Sequence, residues 1–172
     1  IMKYTLTSAE ANKLLKKLLE EKDIILNDEE ESKVFQAANG EDIESVRPEY
    51  DYETTQVLLA RYNEKIRKLK HAINCFNTTQ VVEELGMTID EVLVYIPQLT
   101  KHLRKISDMA RTMPKSRVTL FNTSHIIDYN YTNYDVKKAK EDNIRVMEEL
   151  SKVQTALDLV NNTVTFEVEL PD

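Results

Sequence analysis

Three long stretches of the chain repeat apolar residues at alternating spacings of three and four, which aligns them along one stripe of a helix. They predict helix B over residues 51–76, helix C over residues 88–113 and helix D over residues 133–161. The stripes are Tyr52, Thr55, Leu59, Tyr62, Ile66, Leu69, Ile73 and Phe76 in B, Ile89, Val92, Ile96, Leu99, Leu103, Ile106, Ala110 and Met113 in C, and Val136, Ala139, Asn143, Val146, Leu150, Val153, Leu157 and Val160 in D. Because such a repeat keeps one stripe facing a neighbour, we predict an antiparallel helical bundle with coiled-coil packing.

A fourth helix, helix A, is predicted over residues 7–27. It begins where Thr7 and Glu10 have the spacing of a capping box. In such a box a hydroxyl and a carboxylate satisfy N–H groups that the first helical turn leaves free. Thr88 and Glu91 repeat this spacing at the start of helix C. The short connection between helices B and C predicts that they are antiparallel neighbours.

Apolar and polar residues alternate at both ends of the chain, as they do in a strand with one buried face. This alternation predicts an N-terminal strand from Met2 to Leu6 and a C-terminal strand over residues 163–170. β-Branched and aromatic residues around a polar turn predict a β-hairpin near residues 117–131. We therefore expect one mainly α domain over residues 1–172, with a small antiparallel β-sheet that combines these strands.

The composition narrows the class of protein. Two glycines and four prolines are too few for all-β proteins and dinucleotide-binding folds, which need glycine at turns and at close backbone approaches. No apolar run approaches the roughly 20 residues that span a bilayer, and the first residues lack the basic and apolar segments of a signal peptide. The single Cys75 excludes an internal disulfide and suits a reducing compartment. These features predict a cytoplasmic protein, and the narrow apolar stripes disfavour a membrane as partner.

The net charge of −7 is unevenly distributed. Residues 1–60 sum to −7, residues 61–117 to +5 and residues 118–172 to −5. Many acidic residues fall in residues 28–50, which we predict to be a long acidic loop. The antiparallel arrangement of helices B and C would gather a basic surface at one end, composed of Arg61, Lys65, Lys68, Lys101, Arg104, Lys105 and Arg111. Such a surface could bind phosphate groups, but the overall negative charge disfavours nucleic acid and favours pairing with the acidic loop or with helix D.

Few residues have a pattern that indicates chemistry. The histidines His71, His102 and His125 lie on different predicted elements without a partner at metal-ligand spacing, so we interpret them as exposed residues. Cys75 lies beside the stripe of helix B and lacks a CxxC motif, which favours a buried, unreactive thiol.

Carboxylates on facing helices can hold magnesium in helical hydrolases. The candidates are Glu20, Glu21 and Asp23, and Glu148 with Glu149. Neither group has a companion at helical spacing that would point inward with it. The sequence contains no Gly-rich phosphate loop, GxSxG or HExxH motif. We therefore predict no cofactor and no bound metal, and no residue is assigned a catalytic role.

Three segments resemble the septicolysin-like family of small bacterial helical proteins. They are Ile73-Asn74-Cys75-Phe76-Asn77-Thr78 at the end of a helix, Gln36-Ala37-Ala38-Asn39-Gly40-Glu41-Asp42 running on to Pro48, and Leu157-Asp158 before a terminal strand in which the family's Asn-Trp pair falls at Thr165-Phe166. The resemblance extends over most of residues 10–170. It implies a helical, oligomeric protein of undefined activity, and it carries over Asn74 and Asn77 as polar positions. Capping and turn hydrogen bonds are the alternative role of these two asparagines.

The sequence therefore favours a non-enzymatic bacterial protein that self-associates and acts as an interaction or scaffold protein. The partners that we expect are further copies of the chain and a second protein. Two alternatives stay open. One is a metal-dependent hydrolase of nucleotides or phosphorylated compounds that uses the helix carboxylates, and the other is a membrane-active, cytolysin-like protein.

Overall fold

A computed structural model describes residues 1–119 and 126–172, and it confirms a mainly α fold with small antiparallel sheets. In chain order the elements are β1 (Met2–Thr7), α1 (Ser8–Ser32), α2 (Ile43–Val46), α3 (Tyr52–Thr79), β2 (Val81–Val82), β3 (Met87–Thr88), α4 (Ile89–Arg111), β4 (Lys115–Arg117), β5 (Tyr129–Tyr131), α5 (Val136–Thr163) and β6 (Thr165–Leu170). The chain divides into two compact units. Unit 1 contains Ile1–Thr79 and Val160–Asp172, and unit 2 contains Gln80–Leu159.

Unit 1 is an antiparallel pair of helices closed by a two-stranded sheet. Strands β1 and β6 pair antiparallel along their whole length, from Met2 opposite Leu170 to Thr7 opposite Thr165. Two hydrogen bonds between α1 and α3 show that the helices are antiparallel. Tyr62 on α3 donates to Glu21 on α1 at 2.9 Å. Gln56, which comes earlier on α3, donates to Glu29, which comes later on α1. The core of this unit is formed by Ala11, Leu18, Ile66, Leu69, Ile73, Val168 and Leu170.

Unit 2 is a second antiparallel helix pair. The Tyr95 hydroxyl on α4 donates to Glu149 on α5 at 3.4 Å. Near the other end of α4, the Tyr134 hydroxyl donates to the Met109 carbonyl at 2.7 Å. The buried apolar residues on the two helices are Ile89, Val92, Leu99, Ile106 and Ala110 on α4, and Val146, Val153, Ala156 and Leu157 on α5. Pro97 lies inside α4 without ending it.

The β-structure differs from the predicted single sheet. The N- and C-terminal strands do pair with each other, but the predicted hairpin forms its own sheet from β4 and β5, with Lys115 opposite Tyr131. A third two-stranded sheet, β2 with β3, lies where the sequence predicted only a turn, and Gly86 closes it with a φ of +64°. The tip of the predicted hairpin, residues 120–125, lies outside the described residues, and His125 lies there too.

Helix α1 is longer than predicted. It continues to Ser32 rather than ending near residue 27, so the acidic residues 28–31 belong to its last turns and not to a loop. The reason is that no glycine or proline interrupts the chain before Gly40, and glutamate is a good helix former. The remainder of the predicted loop includes the short helix α2, for which the Asp42 side chain accepts a hydrogen bond from the Glu44 N–H.

Candidate interaction surfaces

The predicted basic residues of helix B are on α3 in unit 1. Lys68 forms an ion pair with Glu64 at 2.8 Å. Lys65 lies near Asp172, whose pKa is lowered mainly by its hydrogen bond with the N-terminal ammonium group and to a lesser degree by Lys65. Arg61 lines a shallow groove that also contains Glu53. Lys68 is thus compensated by an ion pair, whereas Arg61 and Lys65 form none among the described residues.

The predicted basic residues of helix C are on the second half of α4 in unit 2. Lys101, Arg104 and Lys105 form no ion pair with any acidic side chain in the described parts of the chain. The antiparallel pair brings them to the end of the unit where α5 begins, since Tyr134 contacts Met109 there. These three residues therefore join a larger basic region that the sequence only partly revealed.

We call this region the basic pole and define it as residues 101–119 and 126–140. It contains nine lysine and arginine residues against three aspartates. Arg111 pairs with Asp108 at 2.5 Å, and Lys138 pairs with Asp142 at 3.0 Å. The ammonium group of Lys115 lies 4.3 Å from the ring centre of Tyr129, a cation–π contact that leaves its charge uncompensated.

The basic pole contains an open groove of about 610 Å³ between the end of α4 and the start of α5. Three cationic side chains line it, those of Arg111, Lys137 and Lys140, together with apolar groups that include Met113 and Val136. Within the described residues, Lys137 and Lys140 have no acidic partner at ion-pair distance, and Met113 is 67% exposed. The groove therefore combines free positive charge with exposed apolar surface.

Unit 1 contains the opposite feature, which we call the acidic segment and define as residues 28–53. It holds ten acidic residues against two basic ones. Both basic residues are already engaged locally, Lys33 with Glu30 at 2.6 Å and Arg47 with Glu44 at 2.8 Å. Val34, Ile43 and Tyr52 are exposed large apolar residues of the same segment. The acidic segment thus combines free negative charge with exposed apolar side chains.

One carboxylate of the acidic segment has a structural role. Glu29 accepts hydrogen bonds from the Tyr50 hydroxyl at 2.5 Å and from the Gln56 amide at 2.7 Å, which ties the segment's two ends together. The hydrogen bond to Glu29 raises the pKa of Tyr50 because it stabilises the protonated phenol. A groove of about 350 Å³ lies beside this contact, with Asp28 and Glu49 in its lining.

The predicted magnesium carboxylates form other contacts. Glu21 accepts the hydrogen bond from Tyr62, and Glu149 accepts that from Tyr95. The hydrogen bond to Glu21 raises the pKa of Tyr62, whereas the pKa of Tyr95 is raised mainly by burial. No group of three or more acidic, histidine or cysteine side chains converges anywhere in residues 1–119 and 126–172. Glu21 and Glu149 therefore link helices within their units.

The residues singled out on the last turns of α3 have mixed environments. Asn74 is exposed, and its carbonyl accepts a hydrogen bond from Thr78. The side-chain oxygen of Asn77 is buried and has no hydrogen-bond partner among the described residues. The prediction that Cys75 is buried is wrong: it is exposed, as His71 is, and its sulfur lies 3.5 Å from the nearer ring nitrogen of that histidine. Cys75 follows Ile73 by two residues, about 200° around the helix, and therefore points away from the buried stripe.

None of the helices in the described parts of the chain combines the length and the apolar character that a membrane crossing requires.

No protein-family model matches the chain, and no curated protein matches it. Among solved structures, a functionally unknown conserved protein from Corynebacterium diphtheriae is similar over 95% of this chain and 99% of its own, with 17% sequence identity and a TM-score of 0.60. At this sequence identity, the similarity shows a shared fold and gives no information about function. The resemblance to the septicolysin-like family and the cytoplasmic location stay predictions.

Proposed function

We propose that the protein is a non-enzymatic interaction protein that self-associates, with the acidic segment of one copy docking in the basic groove of another. The two surfaces have opposite charge, and both expose apolar side chains beside that charge. Complementary charge speeds encounter and selects the partner, while apolar contact supplies much of the affinity. A second copy of the chain provides both properties at once.

The observation that supports this proposal most strongly is the sign of the charges at two helix ends. A helix has partial positive charge at its N-terminus and partial negative charge at its C-terminus. Helix α5 nevertheless has Lys137 and Lys138 in its first turn and no acidic residue there. The last turns of α1 contain residues 28–31, all acidic, and no basic residue.

Both arrangements destabilise the isolated helix, by roughly 0.3–1 kcal/mol for each exposed charge. The Asp135 side chain offsets part of this at α5 by accepting hydrogen bonds from the Lys137 and Lys138 N–H groups, and Lys33 does so at α1 by pairing with Glu30. Lys138 pairs with Asp142, and Glu29 accepts hydrogen bonds within its own chain, but Asp28, Glu31 and Lys137 form no ion pair among the described residues. A partner of opposite charge gives them a function.

The same charges favour a second copy of the chain, rather than a nucleic acid, as the partner of the groove. A nucleic acid would meet the basic pole but would be repelled by the rest of a chain whose net charge is −7. In a second copy, each acidic segment can meet a basic groove. If the contact is reciprocal it closes a symmetric dimer, and if it is not it extends into a chain of copies.

Sedimentation velocity at two salt concentrations tests the proposal. We expect oligomers at about 0.1 M NaCl and dissociation towards monomer at about 1 M, where the Debye length has fallen from about 10 Å to about 3 Å. The double variant Lys137→Glu with Lys140→Glu reverses the charge of the groove and should weaken association at low salt by at least about tenfold. The matched control is Lys13→Glu with Lys16→Glu, which makes the same charge change at the same spacing on exposed positions of α1.

Three results would overturn the proposal. The first is a wild-type protein that stays monomeric at low salt even at about 100 μM, a concentration about 100 times a typical micromolar Kd. The second is a groove variant that associates as strongly as its control. The third is a wild-type monomer that binds an oligonucleotide through Lys137 and Lys140, since this would assign the groove to nucleic acid instead.

A further inference from the structure

The β4–β5 hairpin exposes both of its faces to solvent. All three residues of β5 and the two outer residues of β4 are exposed, and neighbouring residues of a strand point to opposite faces. A two-stranded hairpin without a covering layer is marginally stable in water. Its apolar side chains therefore gain little from burial within the chain, and a partner that covers them would stabilise the hairpin.

One face of the hairpin combines two aromatic rings with two cationic groups. Lys115 lies opposite Tyr131 and Arg117 lies opposite Tyr129, so these four side chains share a face. The Lys115 ammonium group lies 4.3 Å from the ring centre of Tyr129 and 5.7 Å from that of Tyr131. Tyrosine beside lysine or arginine is a combination that proteins place at the boundary between lipid and water, where the ring meets the headgroups and the charge stays hydrated.

Exposed aliphatic side chains accompany this face. Ile126 is 74% exposed and Ile127 is 51% exposed, just before β5. Proteins that bind single-stranded nucleic acid use aromatic rings and cations, and exposed isoleucines contribute nothing to base stacking. Lipid binding does use them, because its strength increases with the apolar area that leaves water.

These groups follow an order along the described part of the hairpin, counted outwards from helices α4 and α5. The pair of Lys115 and Tyr131 comes first, the pair of Arg117 and Tyr129 comes next, and the two isoleucines lie beyond them. In a segment that binds a membrane surface, aliphatic side chains enter the boundary of the hydrocarbon layer while aromatic and basic side chains stay among the headgroups. A protein or nucleic-acid partner requires no such order.

The charge around the hairpin is complementary to an anionic lipid. The hairpin belongs to the basic pole, which contains nine lysine and arginine residues against three aspartates. Each basic residue close to an anionic membrane strengthens binding by about fivefold. Asp128 is the one acidic residue in the described part of the hairpin, and it opposes this attraction.

We propose that the β4–β5 hairpin, together with Ile126 and Ile127, is a peripheral anchor for membranes that contain anionic lipids. The isoleucines enter the boundary of the hydrocarbon layer, and Lys115 and Arg117 bind the anionic headgroups. The narrow stripes of the helices, which disfavour lipid, take no part in this contact. The anchor is also separate from self-association, because none of these residues lines the groove in which the acidic segment docks.

Co-sedimentation with vesicles tests the anchor. The probes are vesicles of phosphatidylcholine alone and vesicles that also contain about 30% phosphatidylserine, and we expect binding to the anionic vesicles to be at least about tenfold stronger. Ile126→Gln with Ile127→Gln should weaken that binding at least about tenfold. The matched control, Val94→Gln with Ile144→Gln at exposed positions of α4 and α5, should bind as the wild type does. Asp128→Asn should strengthen binding by about fivefold, the effect of one charge.

A tryptophan reporter locates the contact. The chain contains no tryptophan, and Tyr131 and Tyr52 are both 67% exposed. The emission of Tyr131→Trp should shift to shorter wavelength when anionic vesicles are added, because the ring leaves water. Tyr52→Trp in unit 1 is the matched control, and its emission should not shift.

Several results would overturn the proposal. They are absence of binding to both kinds of vesicle, equal binding to both kinds, weaker binding by Asp128→Asn, and equal loss in the isoleucine variant and its control. An isoleucine variant that keeps lipid binding but loses self-association would assign the surface to a contact between copies. A Tyr131→Trp signal that responds to a single-stranded oligonucleotide and not to vesicles would assign the tyrosines to base stacking.

Discussion

Units 1 and 2 are each built on an antiparallel helix pair, but they differ in what closes the pair. In unit 1, strand β1 from the start of the chain pairs with strand β6 from its end, and Val168 and Leu170 of β6 enter the core. In unit 2, the two small sheets are hairpins formed by neighbouring segments. Unit 1 therefore depends on a contact between distant parts of the sequence, whereas the sheets of unit 2 form locally.

In both units, the burial of side chains decreases from one end of the helix pair to the other. In unit 1, buried residues such as Leu69 lie towards the sheet, and no residue of the acidic segment at the other end is buried. In unit 2, the most enclosed residues are Val82, Ile89, Val92 and Val153, away from the basic pole. Each unit thus has a buried end and a charged end, and the charges are opposite. This comparison motivates the proposal that the charged ends contact a partner.

Removal of a core side chain should have the largest effect on stability. Leu69 in unit 1 is fully buried and Leu99 in unit 2 is 7% exposed. Because a leucine-to-alanine change loses transfer free energy and leaves a cavity, we expect Leu69→Ala to lower the free energy of unfolding by about 4 kcal/mol and Leu99→Ala by about 3 kcal/mol. Urea unfolding followed by circular dichroism measures both.

A half-exposed leucine provides the control. Leu19 on α1 is 37% exposed, and Leu19→Ala should lower the free energy of unfolding by less than about 1 kcal/mol. In hydrogen exchange, Leu69→Ala should also accelerate the amides of β1 and β6, since both strands pack in its cluster. If Leu69→Ala costs no more than Leu19→Ala, the core described for unit 1 is wrong.

The helix caps should give the next largest effect, and they differ between the units. In unit 1 the capping box is complete: the Glu10 N–H donates to the Thr7 hydroxyl at 3.2 Å, and the Thr7 N–H donates to Glu10 at 3.0 Å. In unit 2 the capping-box residues are also in place and the Thr88 N–H donates to Glu91 at 2.8 Å, but the Thr88 hydroxyl accepts no cap hydrogen bond as close as that in unit 1 and directs its proton at the carboxylates of Asp90 or Glu91.

Replacement of the threonine should therefore cost more in unit 1. We expect Thr7→Ala to lower the free energy of unfolding by about 1 kcal/mol and Thr88→Ala by about half as much. Thermal and urea unfolding of the two variants, with each threonine also replaced by serine as a conservative control, measure the difference. Equal costs for Thr7→Ala and Thr88→Ala would contradict the distinction between the two caps.

The smallest expected effect is on how stability depends on pH in the acid range. It distinguishes an aspartate that caps a helix from an aspartate in an ion pair. In unit 1 the pKa of Asp51 is lowered by hydrogen bonds from Thr54, chiefly that from its backbone N–H, at the start of α3. In unit 2 the pKa of Asp142 is lowered mainly by its hydrogen bond from Lys138, with Arg145 adding to it. A carboxyl whose pKa is lowered on folding stabilises the protein above its unfolded value, about 3.9, and this contribution disappears as the pH falls through the folded value.

Both Asp51→Asn and Asp142→Asn should therefore destabilise the protein slightly at neutral pH and not at all in acid. At about 1 M salt the effect of Asp142→Asn should shrink, because exposed ion pairs are screened, while that of Asp51→Asn should persist. Urea unfolding at a series of pH values, with Asp23→Asn on the exposed surface of α1 as control, provides the comparison. An effect of Asp142→Asn that is unchanged by salt would refute the ion-pair explanation.

Much of the fold could be predicted from the sequence because the signals are local. The stripes of α3, α4 and α5 and the cap at Thr7 depend on residues three or four positions apart, and the structure has helices at these positions. The sequence does not indicate where α1 ends, because an acidic run such as residues 28–31 is typical of a loop, although nothing in its backbone chemistry stops a helix. The strand pair β1–β6 was expected from alternation, but its separation from the other strands depends on tertiary contacts that a single sequence does not encode locally.

The candidate surfaces were predicted in part. Lys101, Arg104, Lys105 and Arg111 were recognised as basic, but Lys137 and Lys140 were not joined to them. The groove forms only when the start of α5 lies beside the end of α4, and this contact depends on residues far apart in the sequence. A local signal did exist, since a helix that begins with lysines and no acidic residue opposes its own dipole.

A charge exchange between two variants tests the central proposal most directly. The acidic-segment variant Asp28→Lys with Glu31→Lys and the groove variant Lys137→Glu with Lys140→Glu should each associate more weakly than the wild type at low salt, because each places like charges at positions where the wild type brings opposite charges together. Mixed in equal amounts, they should associate, since the two introduced lysines of the first variant can then pair with the two introduced glutamates of the second. Sedimentation velocity of the mixture at about 0.1 M NaCl is the measurement. Recovery of the wild-type oligomer is the predicted result, and a mixture that sediments as two monomers would contradict the proposal.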